Sequence, residues 1–432
     1  MISALLFAAF IVMLLLGVPI GAALGLAGAF CIGLANSEAQ WFGLLAVPQN
    51  FYAGLGKYPL LAIPMFVLVG SIFERSGVAL RLVNFALAIV GRGPGMLPLV
   101  TIAVAMFMGG ISGSGPATAA AVGGVMIAAM ARAGYPAAFA ASVVGAAAAT
   151  DILIPPSIAF IVYSVLVPGA SVPALFAAGM FPGILAGLAL MVPAVWLSRR
   201  HGMGQAESDF QRPPFWRSLR EASWGLFAPV LILGGMRAGI FTPTEAAAMA
   251  VFYGLFVGMV VYRTIRVRDL FVILRESGEL SAVILVVVSL AGIFAFSLST
   301  LGVIDPITRG IVNSGLGEYG VMTLLIALLI VAGMFLDGVS IFLILVPLFL
   351  PIVQHYKWDQ VWFGVILTLL VAIGQFTPPM AVNLMVSCRI AKVPMEDTVP
   401  WVMWLVLSML LATLLVVSMP QIALWLPQKL GY

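Results

Sequence analysis

The chain alternates long apolar runs with short polar breaks, and each kind of break occurs twice at matched positions. Proline pairs interrupt apolar runs at Pro155-Pro156 and Pro378-Pro379, which lie 223 residues apart. A glycine/serine break precedes each pair by about forty residues, at 110–116 and at 337–340. Because proline removes a helical donor and clashes with the preceding turn, each pair predicts a helix broken in its middle. The pattern therefore predicts a duplicated unit containing a hairpin and a broken helix.

Matched prolines and small-residue stretches extend this repeat through the whole chain. We predict a first copy at 1–198 and a second at 222–432, joined by a polar linker at 199–221. The hairpins are expected at about 96–131 and 320–353, and the broken helices at about 138–165 and 360–388. Each hairpin arm has only 13 to 15 apolar residues, whereas a full crossing needs about 20. We therefore expect each hairpin to enter and leave the membrane on one side, with two short tilted crossings as the alternative.

Composition places this pattern in a membrane. Of the residues, 63% are hydrophobic and 8% are charged, and the mean hydropathy is +1.17; soluble proteins have about 25% charged residues. The fold class is therefore an all-α polytopic membrane protein, with about 10 transmembrane helices plus two re-entrant hairpins. The net charge of +4 gives no case for binding nucleic acid. The first apolar run lacks basic residues, so we expect a retained helix rather than a cleaved signal.

Basic residues change sides between the two copies. The loop at 36–56 has no Lys or Arg, while its counterpart at 263–276 has four arginines. Conversely, 74–95 has three arginines and its counterpart at 300–316 has one. By the positive-inside rule, the second copy is inverted relative to the first. Five crossings and one hairpin per copy then place 15 of the 20 basic residues in the cytoplasm, including those of the linker.

Inverted pairs of interrupted helices indicate a transporter-type binding site near the membrane midplane. Freed carbonyls and tip hydroxyls suit monovalent cations, and half-helix N-termini favour anionic groups; close helix packing is the alternative explanation for the small residues. A carboxylate deep in the membrane costs a few kcal/mol or more and indicates function. Asp337 could balance a cation or cap the following helix. Asp151 could be a proton or cation site, or could pair with a distant arginine.

Several function classes lack support in the sequence. The chain contains no P-loop, HExxH or GxSxG motif, which argues against a nucleotide-driven pump and an intramembrane hydrolase. A channel is the main rival to a carrier, but channels usually build one site around an oligomer axis. Glu245 follows Thr242-Pro243-Thr244, so we interpret it as helix first-turn chemistry rather than as a site.

The segment GISGSGPATAAAVG at 110–123 resembles the first-hairpin signature of the large membrane subunit of tripartite ATP-independent periplasmic (TRAP) transporters, the DctM-like family. Three further segments match that family's pattern: Ile154-Pro155-Pro156-Ser157, residues 241–247, and Thr377-Pro378-Pro379 with Asn383. The resemblance covers essentially the whole chain. It implies a sodium-coupled secondary transporter of a bacterial or archaeal inner membrane that imports a small organic acid, such as a dicarboxylate or sugar acid, by an elevator mechanism.

The same resemblance implies partners and site residues. The expected partners are a periplasmic solute-binding protein and a small four-helix membrane subunit on a separate chain, with membrane lipid around them. Sodium site 1 is expected at Ser112, Gly113, Thr150, Leu153 and Pro155, sodium site 2 at Asp337, Gly338, Gly374 and Thr377, and substrate at Ser114, Gly115, Pro156, Ser340 and Asn383.

One residue departs from the family pattern. Glycine commonly stands where this chain has Asp151, which leaves the charge of the first site and the ion stoichiometry open. Segments 80–90 and 269–274 are expected to be arm helices that link moving and fixed parts. The alternative function is a binding-protein-independent channel or uniporter for organic anions. A scaffold subunit without transport of its own fits the repeated site poorly.

Overall fold

The computed structural model describes residues 2–35, 42–90, 93–205 and 213–432. Within these ranges the chain is helical and forms no strand, which confirms the all-α prediction. Seven of the described helices are long and apolar enough to cross a membrane by length and composition, and shorter apolar helices lie between them. The fold is therefore that of a polytopic helical membrane protein.

The described residues of the first half form ten α-helices, of which α8 and α9 are the two parts of the predicted broken helix. Between α8 and α9 lie a 3₁₀ turn at Ala149–Ile152 and the Pro155-Pro156 break. The helices are α1 (Ile2–Leu15), α2 (Ile20–Ala35), α3 (Phe42–Leu55), α4 (Ala62–Arg75), α5 (Val78–Ile89), α6 (Met96–Ser112), α7 (Gly115–Arg132), α8 (Ala137–Ala148), α9 (Ile158–Leu166) and α10 (Val172–Arg200).

The second half repeats this order with two differences: one long helix replaces two shorter ones, and the additional helix α20 follows at the end. The helices are α11 (Phe215–Arg237), α12 (Pro243–Phe256), α13 (Val267–Thr300), α14 (Ile304–Val312), α15 (Gly317–Phe335), α16 (Gly338–His355), α17 (Gln360–Gly374), α18 (Val382–Ala391), α19 (Val399–Ser418) and α20 (Gln421–Leu430). The 34-residue α13 takes the place of both α3 and α4, which a 3₁₀ turn at Tyr58–Leu61 separates in the first half.

Each hairpin closes at its base through a hydrogen bond between its two ends. In the first hairpin, α6 and α7, the backbone N–H of Gly95 donates to the Tyr135 hydroxyl at 2.7 Å. In the second, α15 and α16, the Trp358 indole N–H donates to Glu318 Oε1 at 2.7 Å. The start of the first arm and the end of the second arm therefore lie next to each other in each hairpin.

The hairpin arms are longer than the sequence pattern suggested. They contain 17 to 19 residues rather than 13 to 15. The difference arises because Gly109, Gly110 and Ser112 continue the helical geometry of α6, so that the turn itself is confined to Gly113 and Ser114. Arm length alone therefore does not separate a re-entrant hairpin from two crossings.

The two halves pack against each other through small residues. Gly21 and Gly25 of α2 lie against Val287 and Leu290 of α13, where a Cβ atom would come within 2.8 and 2.5 Å of those side chains. Arg75 of α4 also forms an ion pair with Glu276 of α13 at 2.5 Å. These contacts join α2 and α4 of the first half to α13 of the second in one scaffold.

The helix bounds place the predicted linker and the two predicted arm segments. The linker predicted at 199–221 is partly helical, since α10 continues to Arg200 and α11 begins at Phe215; its residues 206–212 lie outside the described ranges. The segment 80–90 belongs to the separate helix α5, whereas 269–274 forms the start of α13 rather than a helix of its own. Segment 269–274 continues into the rest of α13 because no proline or glycine pair follows it closely.

Candidate functional site

A cavity of about 370 Å³ lies where the two hairpin tips and the broken helices meet. Both halves line it, and α2 and α13 of the scaffold close one side through Ile20, Leu280 and Ile284. The polar or small lining residues are Gly113, Ser114 and Gly115 of the first tip, Asp337 and Gly338 of the second, and Gly374 and Gln375 of the second broken helix. Both hairpin tips therefore line the same cavity.

The first tip docks onto the first Pro-Pro break. Gly113 ends α6 with φ +61°, a left-handed conformation that favours glycine. A Cβ on Gly113 would come within 2.8 Å of the Pro156 carbonyl oxygen, and one on Gly110 within 3.4 Å of the Pro155 carbonyl oxygen. Glycine thus brings the tip backbone into direct contact with the carbonyl groups of the break.

Asp151 lies under this tip and is completely buried. Its Oδ2 accepts hydrogen bonds from the Ser112 hydroxyl at 3.0 Å and from the Thr118 hydroxyl at 2.9 Å. Its Oδ1 has no hydrogen-bond partner in the described chain. The four ion pairs between described side chains do not include Asp151, so the idea of a distant arginine partner gains no support.

The residues expected in sodium site 1 are only partly brought together. Ser112 and Gly113 form the tip, while the Pro155 carbonyl lies beside Gly110, one turn before it. The Thr150 hydroxyl donates to the Ala147 carbonyl of its own helix, and its carbonyl accepts from Leu153 and Ile154. The Leu153 carbonyl points at Gly179 of α10, where a Cβ would come within 2.5 Å of it. Thr150 and Leu153 therefore hold the broken helix in shape and do not face the tip.

The second tip is organised by its own acidic residue. Asp337 is the N-cap of α16: its Oδ1 accepts from the Ser340 backbone N–H at 3.1 Å, and its Oδ2 accepts from the Ser340 hydroxyl. Asp337 therefore caps α16, as one of its two expected roles required, and its side chain is also exposed to the cavity. Ser340 is buried behind it and does not line the cavity.

The second hairpin contacts its broken helix more through backbone than through side chains. A Cβ on Gly374 would come within 2.5 Å of the Gly333 carbonyl oxygen, and the Met380 N–H donates to the Met334 carbonyl at 3.2 Å. The Thr377 hydroxyl, just beyond the end of α17, donates to the Ile373 carbonyl of that helix at 2.6 Å. Of the residues expected in sodium site 2, Asp337, Gly338 and Gly374 line the cavity and Thr377 does not.

The first tip also contacts the second broken helix, through the side-chain amides of Asn383 and Gln375. Of these two residues, the sequence pointed only to Asn383. The Asn383 side-chain N–H donates to Gln375 Oε1 at 3.0 Å, and the Asn383 backbone N–H donates to the Gln375 carbonyl at 2.9 Å. Both amides face Gly115, where a Cβ would lie 2.6 to 2.7 Å from their polar atoms. Gln375 lines the cavity while Asn383 is buried behind it. The sequence reasoning does not include Gln375 in the site. The signal that could have indicated it is a polar residue in an apolar run, three positions before the Pro-Pro pair.

Of the remaining residues expected at the substrate, Ser114 and Gly115 line the cavity and Pro156 does not. The cavity contains no basic side chain among its described lining residues, and Asp337 is the one charged group there. Positive potential comes instead from the N-termini of α7 and α16, which begin at Gly115 and Gly338 on the cavity wall. The described residues contain no cluster of three or more His, Cys, Asp or Glu that could hold a metal ion. Any cation site is therefore built from hydroxyl, carbonyl and single carboxylate oxygens, which suit a hard monovalent ion.

Comparison with known proteins gives consistent matches over nearly the whole chain. The family model of the tripartite ATP-independent periplasmic transporter, DctM component, matches residues 7–422. The C4-dicarboxylate TRAP transporter large permease protein DctM of Pseudomonas aeruginosa is 37% identical over 412 residues, covering 94% of this chain and 94% of that protein. The isethionate TRAP transporter permease protein DctMQ of Oleidesulfovibrio alaskensis is 37% identical over 420 residues; the match covers 97% of this chain but 65% of that longer protein.

Among solved structures, the chain resembles the crystal structure of the YdaH transporter of Alcanivorax borkumensis. The TM-score is 0.63 at 13% sequence identity, and the match covers 95% of this chain and 100% of that one. At this identity the likeness shows a shared fold alone.

Proposed function

The chain belongs to the DctM family of tripartite ATP-independent periplasmic transporters, a family of permeases rather than enzymes, and on that premise we propose that it imports a small organic acid by coupling its entry to sodium. It is the large membrane component of a three-part system. The proposed substrate is an organic anion such as a dicarboxylate, a sulfonate or a sugar acid, since named relatives are permeases for C4-dicarboxylates and isethionate.

One observation carries this proposal: a cavity of about 370 Å³ between two hairpin tips, with two helix N-termini on its wall. Backbone N–H groups at a helix start bind anions without a basic side chain. The volume falls within the usual range of about 300–1,000 Å³ for small-molecule sites. Gly115 and Gly338 would present the N–H groups, and Ser114 and Gln375 would add polar contacts that fix orientation.

Sodium would bind at the two tips. At the first tip, Ser112, Gly113 and Pro155 would supply hydroxyl and carbonyl oxygens. At the second, Asp337 would supply a carboxylate beside the backbone of Gly338 and Gly374. The ion would contribute positive charge next to the bound anion, which offsets the repulsion that Asp337 alone would cause. These positions support coupling because ion and substrate would share the same tips.

Transport would proceed by an elevator movement of the hairpins and broken helices against the scaffold. Small residues separate the two parts: a Cβ on Gly70 of α4 would come within 3.1 Å of the Ser112 carbonyl oxygen, and one on Gly110 within 3.1 Å of Pro229 of α11. Such an interface offers few interlocking side chains to resist sliding. The expected setting is a bacterial or archaeal inner membrane, with a periplasmic binding protein and a small four-helix subunit on a separate chain as partners.

The test is uptake into proteoliposomes that contain this chain with its small membrane subunit, with the purified binding protein outside. Labelled succinate, isethionate and a sugar acid would be compared under an inward sodium gradient and an equal potassium gradient. Uptake that requires both sodium and the binding protein is the expected result. Saturable uptake that needs neither would favour a uniporter, and unsaturable flux without counterflow would favour a channel; either result would overturn the proposal.

A further inference from the structure

Asp151 presents a chemical problem that the proposed transport site does not explain. Its carboxylate is fully buried, and both of its hydrogen bonds, from Ser112 and Thr118, reach the same oxygen, Oδ2. The backbone N–H groups of Gly113 and Ser114 also face the carboxyl group, yet Oδ1 has no hydrogen-bond partner in the described chain. A buried carboxylate with no basic partner is costly, because burial removes water that would otherwise stabilise the charge.

The surroundings of the carboxylate are rich in oxygen atoms. The Ser112 hydroxyl lies 3.3 Å from the Thr118 hydroxyl and 3.3 Å from the Ser114 carbonyl oxygen. One hydroxyl proton cannot serve all of these acceptors together with Asp151 Oδ2. A small cation that shares these oxygens would therefore satisfy groups that hydrogen bonds alone leave in excess.

A glycine of the first hairpin arm lies beside Oδ1. Gly109 of α6 lies directly against it, and a Cβ on Gly109 would come within 2.9 Å of both Oδ1 and the Asp151 Cα. Any residue other than glycine at 109 would therefore press on the unpartnered oxygen. Glycine at 109 thus keeps a side chain away from the unpartnered oxygen Oδ1.

We propose that Asp151 is a charged ligand of the first sodium ion, which its carboxylate binds together with the neighbouring oxygens of Ser112, Ser114 and Thr118. The inference rests on the sodium coupling proposed above and adds one ligand to it. The other residues expected at this sodium site offer only neutral oxygens. With the Asp151 carboxylate among the ligands, the net charge of the ligand set becomes minus one instead of zero. Ligand charge raises cation affinity, and the first ion is accordingly held even when no substrate is present.

The experiment measures thermal unfolding of the purified full-length chain with its small subunit, without substrate, in sodium chloride and in potassium chloride of equal ionic strength. The variants are Asp151→Asn, which is nearly isosteric and can still accept the two hydroxyl hydrogen bonds, and Asp151→Gly, which restores the residue of the family pattern. Ser142→Ala is the matched control, since Ser142 is a buried serine on α8 whose hydroxyl bonds to Ala138 of its own helix.

We expect sodium to raise the melting temperature of the wild type and of Ser142→Ala equally. In Asp151→Asn and Asp151→Gly the half-saturating sodium concentration for this shift should rise about tenfold or more. In potassium, Asp151→Asn should be at least as stable as the wild type, because an uncompensated buried charge has been removed. Under transport conditions, the Hill coefficient for sodium should fall in the same variants.

Two results would overturn the assignment and are distinguishable from failure of the proposed function. If Asp151→Asn keeps the full sodium shift while losing stability equally in both salts, Asp151 only anchors the tip through hydrogen bonds. If wild-type uptake depends on sodium but the Hill coefficient is unchanged in Asp151→Gly, the coupling stands and the ligand assignment fails. If the wild type shows neither sodium-dependent uptake nor a sodium shift, sodium coupling itself is wrong, and the ligand assignment with it.

Discussion

Replacing Gly115 with alanine tests whether the first hairpin tip must rest against the second broken helix. Gly115 begins α7, and the new Cβ would lie 2.6 and 2.7 Å from the side-chain nitrogen and oxygen of Asn383 and 2.7 Å from Gln375 Oε1. Ordinary contact begins at 3.4 Å, so the tip and the amide pair must separate by about 0.7–0.8 Å. Asn383 is fully buried and bonded to Gln375, and it cannot simply rotate away.

The cost follows from the size of this clash. Overpacking a tight contact by one methyl group costs about 1–3 kcal/mol, and alanine returns up to about 1 kcal/mol of helix propensity. A net loss of about 1–2 kcal/mol corresponds to a factor of about 5–30 in the population of the docked tip. We expect the rate of uptake in proteoliposomes to fall by about that factor, with a smaller loss in melting temperature.

The matched control is Gly124→Ala on the same helix, where a Cβ would meet nothing within 4 Å. It should keep full uptake and gain slightly in melting temperature. Combining Gly115→Ala with Asn383→Ala should recover part of the stability lost in Gly115→Ala, because the clashing amide is gone. If Gly115→Ala transports like the wild type, the contact between the tip and the amide pair is not needed for transport.

Three further substitutions test separate parts of the molecule. Asp337→Asn keeps the helix cap, so its melting temperature should change little, while half-saturating sodium for uptake should rise; unchanged sodium activation would exclude Asp337 as a sodium ligand. Gln375→Ala removes an amide from the cavity wall, and we expect the KM for substrate to rise about five- to tenfold with little change in melting temperature; an unaltered KM would remove Gln375 from the substrate site. Thr242→Ala breaks the capping box with Glu245 and should cost about 1 kcal/mol, lowering the melting temperature by a few degrees without altering sodium dependence; a changed sodium dependence would contradict a purely local role.

The positions of the breaks were predictable from the sequence because their cause is local. Proline pairs cannot continue a helix, so the interruptions at Pro155-Pro156 and Pro378-Pro379 follow from the chain itself. The capping role of Glu245 follows equally from its spacing to Thr242, and the structure confirms it. Helix ends were less predictable: glycine lowers helix propensity only modestly, and burial of α6 keeps Gly109 and Gly110 helical.

The arrangement of side chains at the site depends on contacts between distant segments, which spacing does not encode. Thr150 and Leu153 lie in the expected stretch, yet their polar groups bond within the broken helix or face α10. Gln375 enters the site because the tip at Gly115 has no side chain and lets the amide approach. The contact between Gly115 and Gln375 joins residues that are 260 positions apart, so only the folded structure shows it.

The continuous helix α13 has a charged part and an uncharged part whose lengths can be compared with the thickness of a bilayer. At 1.5 Å per residue its 34 residues span about 51 Å, far more than the roughly 30 Å of hydrocarbon. Residues 280–300 are free of charge and match that thickness at about 31 Å, while 267–279 contain five charged residues and extend about 20 Å beyond it. In a bilayer of different lipid chain length, a helix with an apolar stretch of this fixed length would have to tilt, or the bilayer around it would have to change thickness. In the proposed elevator mechanism, bilayer thickness would therefore set the frame against which the hairpins travel.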